Sequence, residues 1–164
     1  MNEAVAVLGI GAMGHGMAAS ALRVGLPVIV WNRTREATRD LAGRGAQVAA
    51  LAPGAIWAQM STIGVAGIDR VAALAGAERP DVILLDAPVS GSKDPAERGE
   101  LTIFVSGPVE ARPRVAPLLG ALGHRTVWVG ETGAGTRLKL VNNTWLAFAN
   151  EAVAACGSCA PAGP

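Results

Sequence analysis

Residues 4–34 read AVAVLGIGAMGHGMAASALRVGLPVIVWNRT. The apolar run Ala4 to Leu8 enters the glycine-rich turn Gly9-Ile10-Gly11-Ala12-Met13-Gly14. Helix-compatible residues then continue to about Gly25, and Pro27 to Trp31 returns as a second apolar run. A GxGxxG turn between a strand and a helix, followed by another strand, is the fingerprint of a dinucleotide site. Gly9 permits the tight turn, Gly11 lets a pyrophosphate approach the backbone, and Gly14 lets the helix pack closely on the strand. The unpaired amides of the first helical turn then point at the phosphates. Gly9, Ile10, Gly11, Ala12, Met13 and Gly14 are therefore candidate cofactor-binding residues.

The end of the second strand speaks to which dinucleotide. A site for NAD places a carboxylate there to accept from the ribose hydroxyls. This chain has Asn32, Arg33 and Thr34 instead. An arginine and a hydroxyl bind a 2′-phosphate through charge-assisted hydrogen bonds. The reading is NADP in preference to NAD, with all three residues as candidate ligands.

Working outward, both apolar runs are continuous instead of alternating, as parallel strands covered on both faces require. Met13, Met17 and Ala21 recur at helical spacing with Ala18 and Leu22 beside them, which marks a core-facing stripe. Thr34 is placed to cap a second helix through Leu41, and short strands are expected at Ala46–Ala50 and Ala55–Met60. Helical periodicity runs from Val65 to Leu74, and Val82 to Leu85 is a buried strand ending at Asp86. The segment Asp86 to Ser92 reads as a loop that Asp86 shapes. Further on come a strand at Leu101–Ser106, a helix at Val109–Leu122, a strand at Thr126–Val129 and a long apolar helix from Gly133 through Ala155. Alternating β and α elements imply an α/β fold of Rossmann type, a doubly wound and mainly parallel sheet ending in a long C-terminal helix.

The bulk properties agree. The 164 residues carry 14 basic and 13 acidic side chains for a net charge of +1, interspersed along the chain, which argues against nucleic acid as a partner. Half the chain (51%) is hydrophobic, enough for a substantial core, and no run is long enough for a membrane span. Met1-Asn2-Glu3 lacks a basic leader, so the expected location is cytoplasmic. Cys156 and Cys159 form one CxxC with no second ligand pair, and His15 and His124 have no partner pattern, so no metal site is expected.

Five stretches stand in order: GIGAMGHGMAASAL (9–22), VIVWNRT (28–34), QMSTIG (59–64), LLDAPVSGS (84–92) with AERGELTIFVSG (96–107), and GETGAGTRLKLVNN (130–143). Together the chain resembles the β-hydroxyacid dehydrogenases, the family of 3-hydroxyisobutyrate dehydrogenase, tartronate semialdehyde reductase and glyoxylate/succinic semialdehyde reductase. The resemblance implies NADPH-dependent interconversion of a small β-hydroxyacid and its semialdehyde or ketoacid. It assigns the proton donor and acceptor to Lys139, and places Asn143 one helical turn further on the same face, beside the ammonium. It assigns Ser90 and Gly91 to a loop that binds the substrate carboxylate, and Thr62 to the surroundings of the nicotinamide. A lysine serves as a base near neutral pH only if it is desolvated or flanked by positive charge.

Against the family pattern the chain is shortened twice. Between Ala50 and Gly54 a few dozen residues are missing, including a central strand of the sheet and its helical cover. Beyond residue 131 only the start of the inter-domain helix remains, so the domains are 1–131, a shortened NADP-binding unit, and 132–164, the first part of that helix. The helical domain through which the family oligomerises, and from which a second lysine comes, has no counterpart here. The apolar residues Leu140, Trp145, Leu146 and Phe148 would then lack the surface they are patterned to meet. The alternative reading is a non-catalytic NADP-binding fragment of such an enzyme.

Overall fold

The computed structural model describes residues 5–32, 34–48 and 53–158. Among the described residues, eight strands and six α-helices follow one another. In order they are β1 (Val5–Leu8), α1 (Ala12–Arg23), β2 (Val28–Trp31), α2 (Arg39–Gly43), β3 (Gln47–Val48), β4 (Ile56–Gln59) and α3 (Val65–Glu78). Then follow β5 (Ile83–Asp86), β6 (Val89–Ser90), α4 (Lys93–Arg98), β7 (Leu101–Val105), α5 (Arg112–Leu122), β8 (Gly123–Trp128) and α6 (Ala134–Ser158). The Rossmann-type architecture expected from the sequence is present, with the long C-terminal helix.

The β1–α1–β2 unit forms as its sequence dictates. β1 pairs in parallel with β2, Val5 opposite Val28 and Leu8 opposite Trp31, and β2 pairs in parallel with β3. α1 packs across both strands and divides its buried face between two apolar clusters. Ala18 and Ala21 join Val28, Val30 and Leu41 on one side, while Met17 joins Leu85, Leu101, Ile103 and Val105 on the other. Leu41, Leu85, Leu101 and Ile103 are fully buried, each worth roughly 1.5–3 kcal/mol relative to exposure.

The sheet is not continuous. β1-β2-β3 form one ladder, β4-β5 a second and β6-β7-β8 a third. β5 reaches the third ladder through a single bridge between Asp86 and Ser106. Among the described residues, however, β1 has no strand beside it opposite β2, and β4 has none opposite β5. A cleft of ≈ 1140 Å³ separates those two edges, with Val5 and Val7 on one wall and Ile56 and Ala58 on the other. Two parallel edges flanking an empty slot are what removal of a central strand leaves behind, at the cost of the ladder bonds that strand would have made.

Local differences from the sequence reading have physical causes. Residues 35–38 form a 3-10 turn before the short α2, and Thr34 occupies the cap position without a side-chain cap bond. The expected loop 86–92 contains the two-residue strand β6, antiparallel to β7. α4 was not anticipated because its six residues, KDPAER, bury only Ala96. It is held from outside: Ser20 Oγ donates to the Ala96 and Glu97 carbonyls at 2.9 and 3.0 Å, and Arg23 donates to the Glu97 carbonyl at 2.7 Å. Gly16 lets the two helices meet, since a Cβ there would stand 3.2 Å from Glu97. α6 runs through Ser158, three residues past the expected end.

Candidate functional site

The glycine turn is built as a cradle. Gly9 has φ +91°, a conformation that excludes ordinary side chains, and a Cβ on Gly14 would collide with the Gly9 carbonyl oxygen. Nothing stands within 4 Å of the Cβ position of Gly11, so the space beside its backbone is open. The first bond within the helix joins the His15 N–H to the Gly11 carbonyl at 2.8 Å. The amides of Ala12, Met13 and Gly14 precede that bond, and no acidic side chain occupies the first turn of α1. An anion such as a pyrophosphate fits this arrangement.

Asn32 closes the turn from the other side. Its Oδ1 accepts the Ile10 N–H at 2.9 Å, while its Nδ2 donates to the Thr34 carbonyl at 2.9 Å. The side chain thus links the glycine turn to the loop after β2, where Thr34 is exposed. Arg33 lies outside the described residues.

The cleft beside β1 continues up to this turn and collects half of the candidate residues, Gly14 among them. Gly9, Met13, Thr62, Gly91, Lys139 and Asn143 all line it. Thr62 is presented by a turn that the sequence did not disclose. The buried Gln59, last residue of β4, donates its Nε2 to the Ser61 carbonyl at 3.0 Å and accepts the Ser61 N–H on Oε1 at 2.6 Å. Gln59 is thereby a residue that shapes the site, and its place at a strand end next to Ser61 and Thr62 was the available signal.

Lys139 and Asn143 stand one turn apart on α6, and Lys139 is only 8% exposed. Burial lowers its pKa from the ordinary lysine value, because an ammonium loses hydration in the cleft wall. Arg114 is the other charged residue lining the cleft, and no acidic side chain lines it among the described residues.

Ser90 is placed differently from Gly91. Along β6 and its continuation, side chains alternate between faces. Val89 and Gly91 line the main cleft, while Ser90 lines a separate depression of ≈ 360 Å³ with Thr102, Arg125 and Asn142. The Ser90 hydroxyl accepts from Asn142 Nδ2 at 3.3 Å, so its partner on α6 is Asn142 and not Asn143. Near the end of α6, Cys156 is an exposed free thiol, and Cys159 lies outside the described residues. No helix of the described residues is long and apolar enough to cross a membrane.

These features have counterparts in known proteins. The NAD binding domain of 6-phosphogluconate dehydrogenase matches residues 4–50 and 48–130, most of the chain, in two stretches that break where the cleft opens. Glyoxylate/succinic semialdehyde reductase 2 of Arabidopsis thaliana is 31% identical over 172 aligned positions, covering 85% of this chain and 48% of the relative. The chain belongs to the β-hydroxyacid dehydrogenase family. Among solved structures, 3-hydroxyisobutyrate dehydrogenase of Mycobacterium tuberculosis, with L-serine, superposes with a TM-score of 0.85 at 26% identity, covering 95% of this chain and 64% of that one. Psf3 in complex with NADP+ and 2-OPP gives a TM-score of 0.78 at 27% identity, covering 95% and 68%.

This β-hydroxyacid dehydrogenase family member thus spans about half the length of the curated relative it matches. The alignment to that relative runs over more positions than the aligned part of this chain contains. That surplus, with the broken family match, agrees with an internal shortening after residue 50. The family match over 4–50 and 48–130 is to a pyridine-nucleotide-binding domain.

Proposed function

We propose that the chain binds NADPH along the cleft between the glycine turn and α6, and that Lys139 handles the proton when a small semialdehyde or ketoacid is reduced to its β-hydroxyacid. The observation carrying this reading is the shared cleft. Gly9, Met13 and Gly14 of the phosphate cradle, Thr62, Gly91 and a desolvated Lys139 with Asn143 all border one space.

Bound NADPH would supply the hydride. The protein's part begins with the turn: the amides of Ala12, Met13 and Gly14 favour the pyrophosphate, and Arg33 and Thr34 carry the preference for a 2′-phosphate. Thr62 borders the nicotinamide end. Gly91 offers its backbone to a substrate carboxylate, and Asn143 orients the carbonyl. Ser90, whose hydroxyl turns to Asn142 on the other side of β6, contributes through its backbone beside Gly91. Lys139 Nζ gives a proton to the oxygen as hydride reaches the carbon, and accepts it in the reverse direction. Its lowered pKa makes both directions accessible closer to neutral pH. Residues 1–131 act as the nucleotide unit and 132–164 as the start of the inter-domain helix, in a cytoplasmic protein.

A second reading is supported by the slot between β1 and β4 and by the exposed apolar residues of α6, Trp145 and Phe148 among them. Under it the chain is a nucleotide-binding fragment without turnover. Mixing the purified chain with NADPH and either glyoxylate or succinic semialdehyde, and following loss of reduced-nicotinamide absorbance, separates the two. Turnover that disappears in Lys139→Met supports the enzyme; NADPH binding without turnover supports the fragment; no binding contradicts both.

A further inference from the structure

The carboxylate of Asp86 is fully buried at the end of β5, 0% exposed, with no cation beside it among the described ion pairs. Burying such a charge is costly unless hydrogen bonds replace its water, and here they do. Oδ2 accepts the Thr136 N–H at 2.7 Å and the Ser106 hydroxyl at 3.2 Å, while Oδ1 accepts the Thr136 hydroxyl at 2.7 Å. The Ser106 Oγ in turn accepts the Gly135 N–H at 2.9 Å. Two first-turn amides of α6 are therefore satisfied by side chains from the end of β5 and from the residue that follows β7, in place of a local cap. The negative charge also lies at the favourable end of the helix.

The clamp is rigid from both sides. The Asp86 and Ser106 backbones exchange hydrogen bonds of 3.0 and 2.8 Å. A Cβ on Gly135 would lie 2.5 Å from the Phe104 carbonyl oxygen and 2.9 Å from that of Asp86. Sliding or rolling α6 would break the carboxylate's bonds or drive its backbone into those carbonyls. Thr136 and Lys139 are three residues apart, hence on neighbouring positions of one helix face. Whatever sets Thr136 sets where Lys139 enters the cleft.

We propose that Asp86, acting through Thr136, is the positioning residue that fixes the register and roll of α6 and so holds Lys139 at its depth in the cleft wall. This deepens the reading of Lys139 as the proton-handling group and rests on it for its catalytic meaning, but it is testable without nucleotide. An asparagine would keep an acceptor for the Thr136 amide and donate its NH2 to the Thr136 hydroxyl, whereas an alanine removes both side-chain partners of Thr136.

The chain has two lysines, Lys93 and Lys139, and Lys93 is exposed on α4, which makes it an internal reference. The test labels lysine isotopically and follows both side-chain signals by NMR against pH, in wild type, Asp86→Ala, Thr136→Val and Thr136→Ser. The expected result is a Lys139 midpoint below that of Lys93 in wild type. It should move up toward Lys93 in Asp86→Ala and Thr136→Val, return in Thr136→Ser, and leave Lys93 unmoved throughout. If Asp86→Ala does not fold, Thr136→Val, which keeps the backbone bond, decides by the same reading. An unshifted Lys139 midpoint in a folded variant, or coincident Lys93 and Lys139 midpoints in wild type, overturns the proposal. Failure of NADPH to bind would instead contradict the nucleotide reading and leave this titration intact.

Discussion

The Asn32 carboxamide oxygen accepts the Ile10 backbone N–H at 2.9 Å, tying the end of β2 to the middle of the glycine turn. Asn32 is thus part of the cradle's framework, besides being proposed as a ligand on the ribose side. Asn32→Ala should weaken NADPH binding by about 0.5–1.5 kcal/mol, the worth of one such hydrogen bond, as read by fluorescence titration. Asn32→Asp keeps an acceptor for Ile10 but brings a carboxylate to the 2′-phosphate, so it should shift preference from NADPH toward NADH. Arg33→Ala should weaken NADPH and leave NADH nearly unaffected; equal effects on both would refute the 2′-phosphate assignment.

Gly14 has no room for a methyl group, because its Cβ position overlaps the Gly9 carbonyl oxygen. Gly14→Ala should destabilise the fold by about 1–3 kcal/mol and abolish nucleotide binding. Gly43→Ala, at a position with open space around it, is the matched control and should leave the melting temperature almost unchanged.

Lys139 carries a pH signature of definite sign. Its pKa is lower folded than unfolded, so between the two values the unfolded chain binds more protons and stability rises with pH. Below both values the buried ammonium is a standing cost. Lys139→Met should therefore raise stability at neutral pH, by about 2–4 °C in Tm for each 1 kcal/mol relieved, while removing any turnover. A loss of stability in calorimetry would contradict the burial argument.

On α6, Trp145 and Phe148 are 65% and 64% exposed, with ring centroids 6.0 Å apart. With Val141, Leu146 and Val153 they give the helix an apolar outer surface. Replacing both rings by glutamate should lower binding of a hydrophobic dye and reduce concentration-dependent association in sedimentation, without altering NADPH affinity.

How far the sequence carried the reading differs from element to element. The β1–α1–β2 unit was readable because its determinants are local: three glycines, two continuous apolar runs and one helical stripe. The missing strand was also readable, since the jump from Ala50 to Gly54 brings together flanks that should be separated. α4 was not, because its polar sequence has no apolar period and its anchors, Ser20 and Arg23, lie more than seventy residues away. Ser90 was grouped with Gly91, yet as part of β6 it faces the opposite side, toward Asn142. Asp86 was read as shaping its own loop, whereas its partner Thr136 lies fifty residues further along.

The central claim is that the glycine turn and the Lys139 face of α6 border one nucleotide-binding cleft. The most direct test is a fluorescence titration of the purified chain with NADPH, with and without Gly14→Ala. Saturable binding by wild type, absent in the variant and accompanied by a shift of the Lys139 NMR signal but not that of Lys93, is the predicted result. Binding that leaves the Lys139 signal in place, or no saturable binding at all, would contradict it.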